Sequence, residues 1–418
     1  MRLLHTTELV LKEFFDNSIP NDYAILSHRW EEEEMSLQDF VAIRNLAKPE
    51  YQLYADFLRF SMNASEHSAG YRKILRCCEF AASRGYEWVW IDTCCIDKAS
   101  SAELSEAINS MYRWYQGADV CFAYLSDVSL SRAESVFTGY ELSDNTRDQL
   151  RASKWFSRGW TLQELLAPDY VLFVDHDWKE ICDKSSISGV LANTSRIPGS
   201  VLCGETSPRD HSVAQKMSWA AHRKTSRIED VAYCLLGIFG VNMPLLYGEG
   251  TRAFARLQEE ILKVSDDYSI FLWADDLSDR SCDVGLLAPS PAYFGSCNVE
   301  CHGQVERTRP YRTTNQGLEW DVQLLKPSSQ DVSTLLQASM FENEENNEND
   351  EEDMQEMYLL PLPSRPPCVL IVHRESGNGI VKDYQHFSRH ALRFDNAMST
   401  VAHYPILPKL RLLFRLHH

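Results

Sequence analysis

Four short apolar runs, "YAILSH" (residues 23–28), "WVWIDT" (88–93), "VCFAYLSDV" (120–128) and "YVLFVD" (170–175), are separated by longer stretches with helical periodicity. A continuous apolar run suits a strand covered on both faces, and strands that alternate with helices are joined by crossovers. The pattern steers the chain toward a parallel α/β sheet and away from a hairpin meander, with these four strands side by side and their carboxyl ends on one edge. Between the runs, "YRKILRCCEFAASRG" (71–85) reads as a helix closed by Gly85. In "SSAELSEAINSMYRWYQGA" (100–118), Ser100 or Ser101 can cap, and Ile108, Met111, Tyr112 and Tyr115 make one apolar stripe.

At 418 residues the chain exceeds the size at which one core stops growing, roughly 250 to 300 residues. We expect three stretches: an α/β core over 1–183, a helical continuation over 184–275, and a smaller β-containing C-terminal region over 276–418. A net charge of −19 argues against a nucleic-acid partner, whose phosphates call for cations. Nine acids and no base crowd into residues 342–356, and without them the balance is −10. That tract buries too little apolar surface to offset ordering entropy and is expected to form no packed element. Twelve cysteines fall mostly inside apolar runs, as reduced buried thiols do. The first fifteen residues lack the apolar core of a signal peptide, and no run approaches the roughly 18 apolar residues of a membrane span. A cytoplasmic protein without a membrane partner is expected.

Ligands of open parallel sheets bind beyond the carboxyl ends of the strands. Ser27, His28, Arg29 and Trp30 follow the first run, and a ring beside a cation suits a nucleotide's base and phosphate. Asp92, Thr93, Asp97 and Lys98 follow the second run, Ser126 and Asp127 the third, Asp175 the fourth. For Asp97, Lys98, Ser126 and Asp175, loop polarity and helix capping are sufficient reasons. "GEGTRA" (248–253) mimics a dinucleotide fingerprint but lies outside any βαβ unit, so a turn into a helix is the expected structure. His386 and His390, or Cys297, Cys301 and His302, are too few to hold a metal, and none is expected.

One residue resists a bland account. In "WFSRGWTLQELLAP" (155–168), Glu164 interrupts an apolar stretch. If the segment is helical, Trp160 and Glu164 share a face at spacing i, i+4. A solvated surface glutamate and a functional acid beside a ring are both open at this point.

Together with "YAILSHRW", "WVWIDTCCIDK", "INSMYRWYQGADVCFAYLSDV" and "RKTSRIEDVAYCLLGIFGVNMPLLYGEGTRAFARLQEEI", that stretch closely resembles the HET domain of fungal heterokaryon incompatibility proteins. The resemblance covers residues 1 to about 273, and "GLLAPSPAYF" resembles the extension that often trails this domain. It implies a role in fungal allorecognition and regulated cell death. The family is in turn regarded as distantly TIR-like, which implies a flavodoxin-like parallel sheet. TIR domains carry a Trp-x-x-x-Glu helix whose acid is catalytic in NAD-cleaving members, and Trp160 to Glu164 matches that spacing. By this resemblance Glu164 is the catalytic acid and Ser27, His28, Arg29, Trp30, Asp92 and Trp160 bind substrate, with Glu164 at the rim of a cleft facing His28 and Asp92. NAD would be a substrate, and no cofactor is called for. Cleaving its nicotinamide–ribose bond passes through an oxocarbenium-like state that one carboxylate can stabilise. The alternative is a non-enzymatic death module that acts by self-association or by binding a protein partner.

Overall fold

The computed structural model describes residues 1–15, 18–46, 68–130, 142–273 and 286–295, and beyond these the backbone of six strands. The acidic tract at 342–356, the histidine pair at 386 and 390, and Cys297, Cys301 and His302 lie outside the residues whose side chains are described. The chain divides into two compact units, Met1–Pro208 with Arg223–Leu246, and Arg209–His222 with Tyr247–His418.

The first unit is built on a seven-stranded sheet: β1 (Arg2–His5), β2 (Leu11–Glu13), β3 (Tyr23–His28), β4 (Trp88–Trp90), β5 (Val120–Tyr124), β6 (Val171–Val174) and β7 (Glu180–Asp183). Their order is β2-β1-β4-β3-β5-β6-β7. The four runs singled out from sequence are β3 to β6, and all three of their pairings are parallel. Every residue of β3 and β6 is buried, as continuous apolar runs require in a sheet covered on both sides. Three antiparallel strands join them that the apolar pattern does not show. β1 and β2 form a hairpin on the β4 side and β7 closes the other edge. They are three or four residues long and polar enough to read as loop in sequence.

The chain passes from β3 to β4 on one side and then returns to place β5 on the other. The parallel order β4-β3-β5-β6 is that of a doubly wound sheet, whose switch point lies here between β3 and β5. The crossover helices are Ala69–Ser83, capped by Ser68, and Ser101–Gln116, capped by Ser100 and ended at Gly117. Gly85 takes φ +87°, as a residue just past a helix end often must.

In the second unit, Ser212 and Gln215 make a reciprocal capping box at the head of the Val213–Ala220 helix. Gly248 and Gly250 adopt positive φ just before the Arg252–Val264 helix, so "GEGTRA" is a turn into a helix. The strand-like pieces of the C-terminal region form two antiparallel three-stranded sheets, one of Met357–Leu362, Cys368–His373 and Arg389–Arg393, the other of Arg312–Thr314, Gly317–Val322 and Leu410–Phe414. Among the described residues no helix is long and apolar enough to cross a membrane.

Candidate active site

β3 ends at the switch point, and its last two side chains leave on opposite faces because successive residues of a strand alternate. Ser27 shares its face with Ala123 and, through β5, with Phe173. The 155–166 segment packs there. Trp155, only 1% exposed, stands edge-on to Phe173 with ring centroids 5.8 Å apart and donates from Nε1 to Ser27 Oγ at 2.9 Å. Ser27 donates to Glu164 Oε2 at 2.5 Å.

Glu164 is 6% exposed, within a helix, Thr161–Leu166, whose six residues are all buried. A solvated surface glutamate is therefore excluded. Burial pushes its carboxyl up to about 7, against the pull of Arg158, the Ser27 hydrogen bond and Arg223. Ser27→Ala should accordingly move the Glu164 titration further upward, because the hydroxyl bonds best to the charged form. Carbon-detected NMR of labelled glutamate reads that shift, and a downward or absent shift would show that Ser27 does not serve the carboxylate.

The loop before Glu164 is fixed by residues distant in sequence. Arg223 Nη1 donates to Arg158 O at 3.0 Å and to Thr161 Oγ1 at 2.9 Å, while Gly159 N bonds Lys224 O at 2.9 Å and Lys224 N bonds Ser157 O at 2.7 Å. A Cβ on Gly159 would lie 2.5 Å from Thr225 Cγ2 and 3.1 Å from Cys234 Sγ, so a larger residue would have to push both side chains aside. Arg223 is itself buried deeply enough that its pKa falls to about 10.

The other face of β3 carries His28, whose Nε2 stands 3.7 Å from both Glu34 Oε2 and Asp92 Oδ1. Burial and the nearby Lys73 push the imidazole pKa down, which favours its neutral form. Glu34 pairs with Lys73, and its loop lies against Gly70, where a Cβ would sit 2.3 Å from Glu33 O. Trp30, 41% exposed, donates from Nε1 to Asp92 Oδ2 at 2.7 Å. Lys98 Nζ lies 3.5 Å from the centroid of that indole and Arg158 Cζ 5.3 Å, and Arg158 Nη1 donates to His28 O at 2.9 Å. Burial would raise the Asp92 pKa, but Lys98, His28, Arg158 and the Trp30 hydrogen bond bring it below the ordinary value.

The structure thus gathers the sequence candidates into two groups, Ser27 with Glu164 on one face, and His28, Trp30 and Asp92 on the other. The expectation that placed Glu164 at the rim of a cleft facing His28 and Asp92 is corrected: Glu164 is covered, strand alternation sends Ser27 and His28 to opposite faces, and Asp92 lies near enough to help push the Glu164 carboxyl up. Arg29 is exposed and joins neither group. Trp160 is half-buried at the head of the Glu164 helix, and Trp155 rather than Trp160 is the ring that serves the acid. Sequence reasoning overlooked Trp155, Arg158, Glu34 and Arg223. The first two lie in the same fourteen-residue stretch as Glu164. Asp175, by contrast, is a structural residue, accepting from the backbone of Leu130, Asp177 and Lys179.

The sequence model of the Heterokaryon incompatibility protein (HET) family matches residues 23–164, from the first residue of β3 to the buried acid. The chain carries a HET domain over these residues. It is 41% identical over 256 residues to Vegetative incompatibility protein HET-E-1 of Podospora anserina. The match covers 60% of this chain and 17% of that relative, so the chain spans only a small part of the relative's length. No solved structure matches the chain significantly. The matched range contains Ser27, His28, Glu34, Asp92, Trp155 and Arg158, whereas Arg223, which fixes the loop before Glu164, lies beyond it.

Proposed function

We propose that the chain acts in heterokaryon incompatibility, the recognition of non-self between fungal cells that ends in cell death, and that its HET domain does so by hydrolysing NAD at the nicotinamide–ribose bond. The observation that carries this reading is Glu164, a buried carboxyl at the switch point of a doubly wound sheet, held by Ser27 and tuned to about 7. Perturbed acids at such a place are functional candidates, because burial strengthens their effect on a developing charge. As the nicotinamide–ribose bond breaks, its electron pair leaves with neutral nicotinamide. The ionised Glu164 stabilises the positive charge left on the ribose, and water adds there with loss of a proton. Ser27 keeps the carboxylate oriented, and Arg158 and Arg223 keep it ionisable.

Only 6% of Glu164 is exposed, so the substrate must displace part of its cover. That observation also favours a second reading, in which the domain signals by assembling with partners and Glu164 is part of its core. Expression of Glu164→Gln in a fungal host, at matched protein level, separates the two. We expect viability and cellular NAD both to be preserved. Full killing with falling NAD would remove Glu164 from the chemistry, and full killing with steady NAD would favour assembly.

A further inference from the structure

Three buried polar atoms at the end of β3 have no hydrogen-bond partner: His28 Nε2, Glu34 Oε2 and Asp92 Oδ1. Buried polar groups are almost always satisfied, so three in one place point to something that joins them. At 3.7 Å Nε2 is too far from either oxygen for a direct bond, and an oxygen set to the side of each pair, roughly 2.8 Å from its atoms, would satisfy them.

The charges narrow what that oxygen belongs to. Each carboxylate gives its other oxygen elsewhere, Glu34 to Lys73 and Asp92 to Trp30, with Lys98 4.0 Å from the latter oxygen. Lysines already balance the two acids, so a divalent cation would face uncompensated ammonium groups and an anion would face the carboxylates. A neutral hydroxyl fits: it donates to a carboxylate and accepts from, or donates to, the neutral imidazole. Two adjacent hydroxyls serve both acids at once. Beside them the exposed indole of Trp30 offers a flat surface, with Lys98 and Arg158 against it.

We propose that His28, Glu34 and Asp92 bind the vicinal diol of a nucleoside diphosphate, whose ring lies on Trp30 and whose phosphates meet Lys98 and Arg158. The nucleotide class rests on the NAD reading above, whereas the diol rests on the three unpartnered atoms. Calorimetric titration of the full chain with ADP, 2′,3′-dideoxy-ADP and ADP-ribose tests it. ADP and ADP-ribose should bind, and the dideoxy compound should bind at least tenfold more weakly. In Asp92→Asn that gap should close. Equal affinity of ADP and its dideoxy form would mean that water alone joins the three atoms and would overturn the proposal, as would failure of both diol ligands to bind at millimolar concentration. Should Asp92→Asn not fold, the comparison on the parent chain decides alone. Hydrolysis of NAD without discrimination for the diol would overturn this site and leave the role of Glu164 standing. Discrimination without hydrolysis would do the reverse.

Discussion

Between pH 4.5 and pH 8, the stability difference between Glu164→Gln and the parent chain should swing toward the variant by about 3 kcal/mol. The folded-state pKa of Glu164 is raised from 4.5 to about 7, so the folded protein holds this proton more tightly than the unfolded chain. The group's stabilising contribution is therefore complete below 4.5 and is lost as pH rises through 7, with about 1.4 kcal/mol given up for each pH unit between the two values. Glutamine carries no such dependence and can still accept from Ser27 through its amide oxygen. Urea unfolding at the two pH values reads the swing. A variant that loses stability as pH rises would mean that Glu164 is an ionised structural anchor, held by Arg158 and Arg223. The expected outcome has a functional corollary: an acid that weakens the fold at neutral pH is retained for something other than the fold. The carboxylate is also the form that stabilises an oxocarbenium, so NAD hydrolysis should climb as pH passes through 7.

Gly237→Ala should be among the most damaging single-atom additions in the first unit, with a loss of about 3 kcal/mol or more, above the usual range for overpacking. Gly237 lies in the Leu236–Phe239 helix, and a Cβ there would stand 2.1 Å from Cβ and 2.5 Å from Cγ of Tyr112 on the Ser101–Gln116 helix. Flexible ends of side chains can yield, but two Cβ atoms can separate only if the helices do. Tyr112→Ala should accordingly fail to rescue Gly237→Ala, because alanine keeps the offending atom, whereas Tyr112→Gly should restore part of the loss. Denaturant midpoints of the single and double variants measure this. A midpoint for Gly237→Ala within error of the parent would show that these helices are not packed so closely.

The central fold is legible in the sequence because its signals are local. The run Tyr23–His28 coincides with its strand to the residue, since the exposed Asp22 and Arg29 bound six consecutive buried positions. Ser100 and Gly117 announce the ends of a helix whose apolar stripe repeats every three or four residues. The edge strands do not announce themselves. β1, β2 and β7 are short and partly exposed, and they exist because neighbouring strands offer hydrogen bonds, a property of the partner more than of their own residues.

The site divides in the same way. Residue order suffices to place a carboxylate in an apolar helix near the parallel strands, and to gather polar side chains at the carboxyl ends of β3 and β4. What each of them meets is a matter of packing. Strand alternation sends Ser27 to Glu164 and His28 to Glu34 and Asp92, so neighbours in sequence serve different groups. Arg223 reaches the loop before Glu164 from 65 residues away, and it is Trp155, through Ser27, that the packing links to the acid, where the helical spacing suggested Trp160. The physical reason is that spacing along a chain records only local geometry. The rise of the Glu164 carboxyl to about 7 comes from removing water, and which groups lose their water is settled only when separated segments pack.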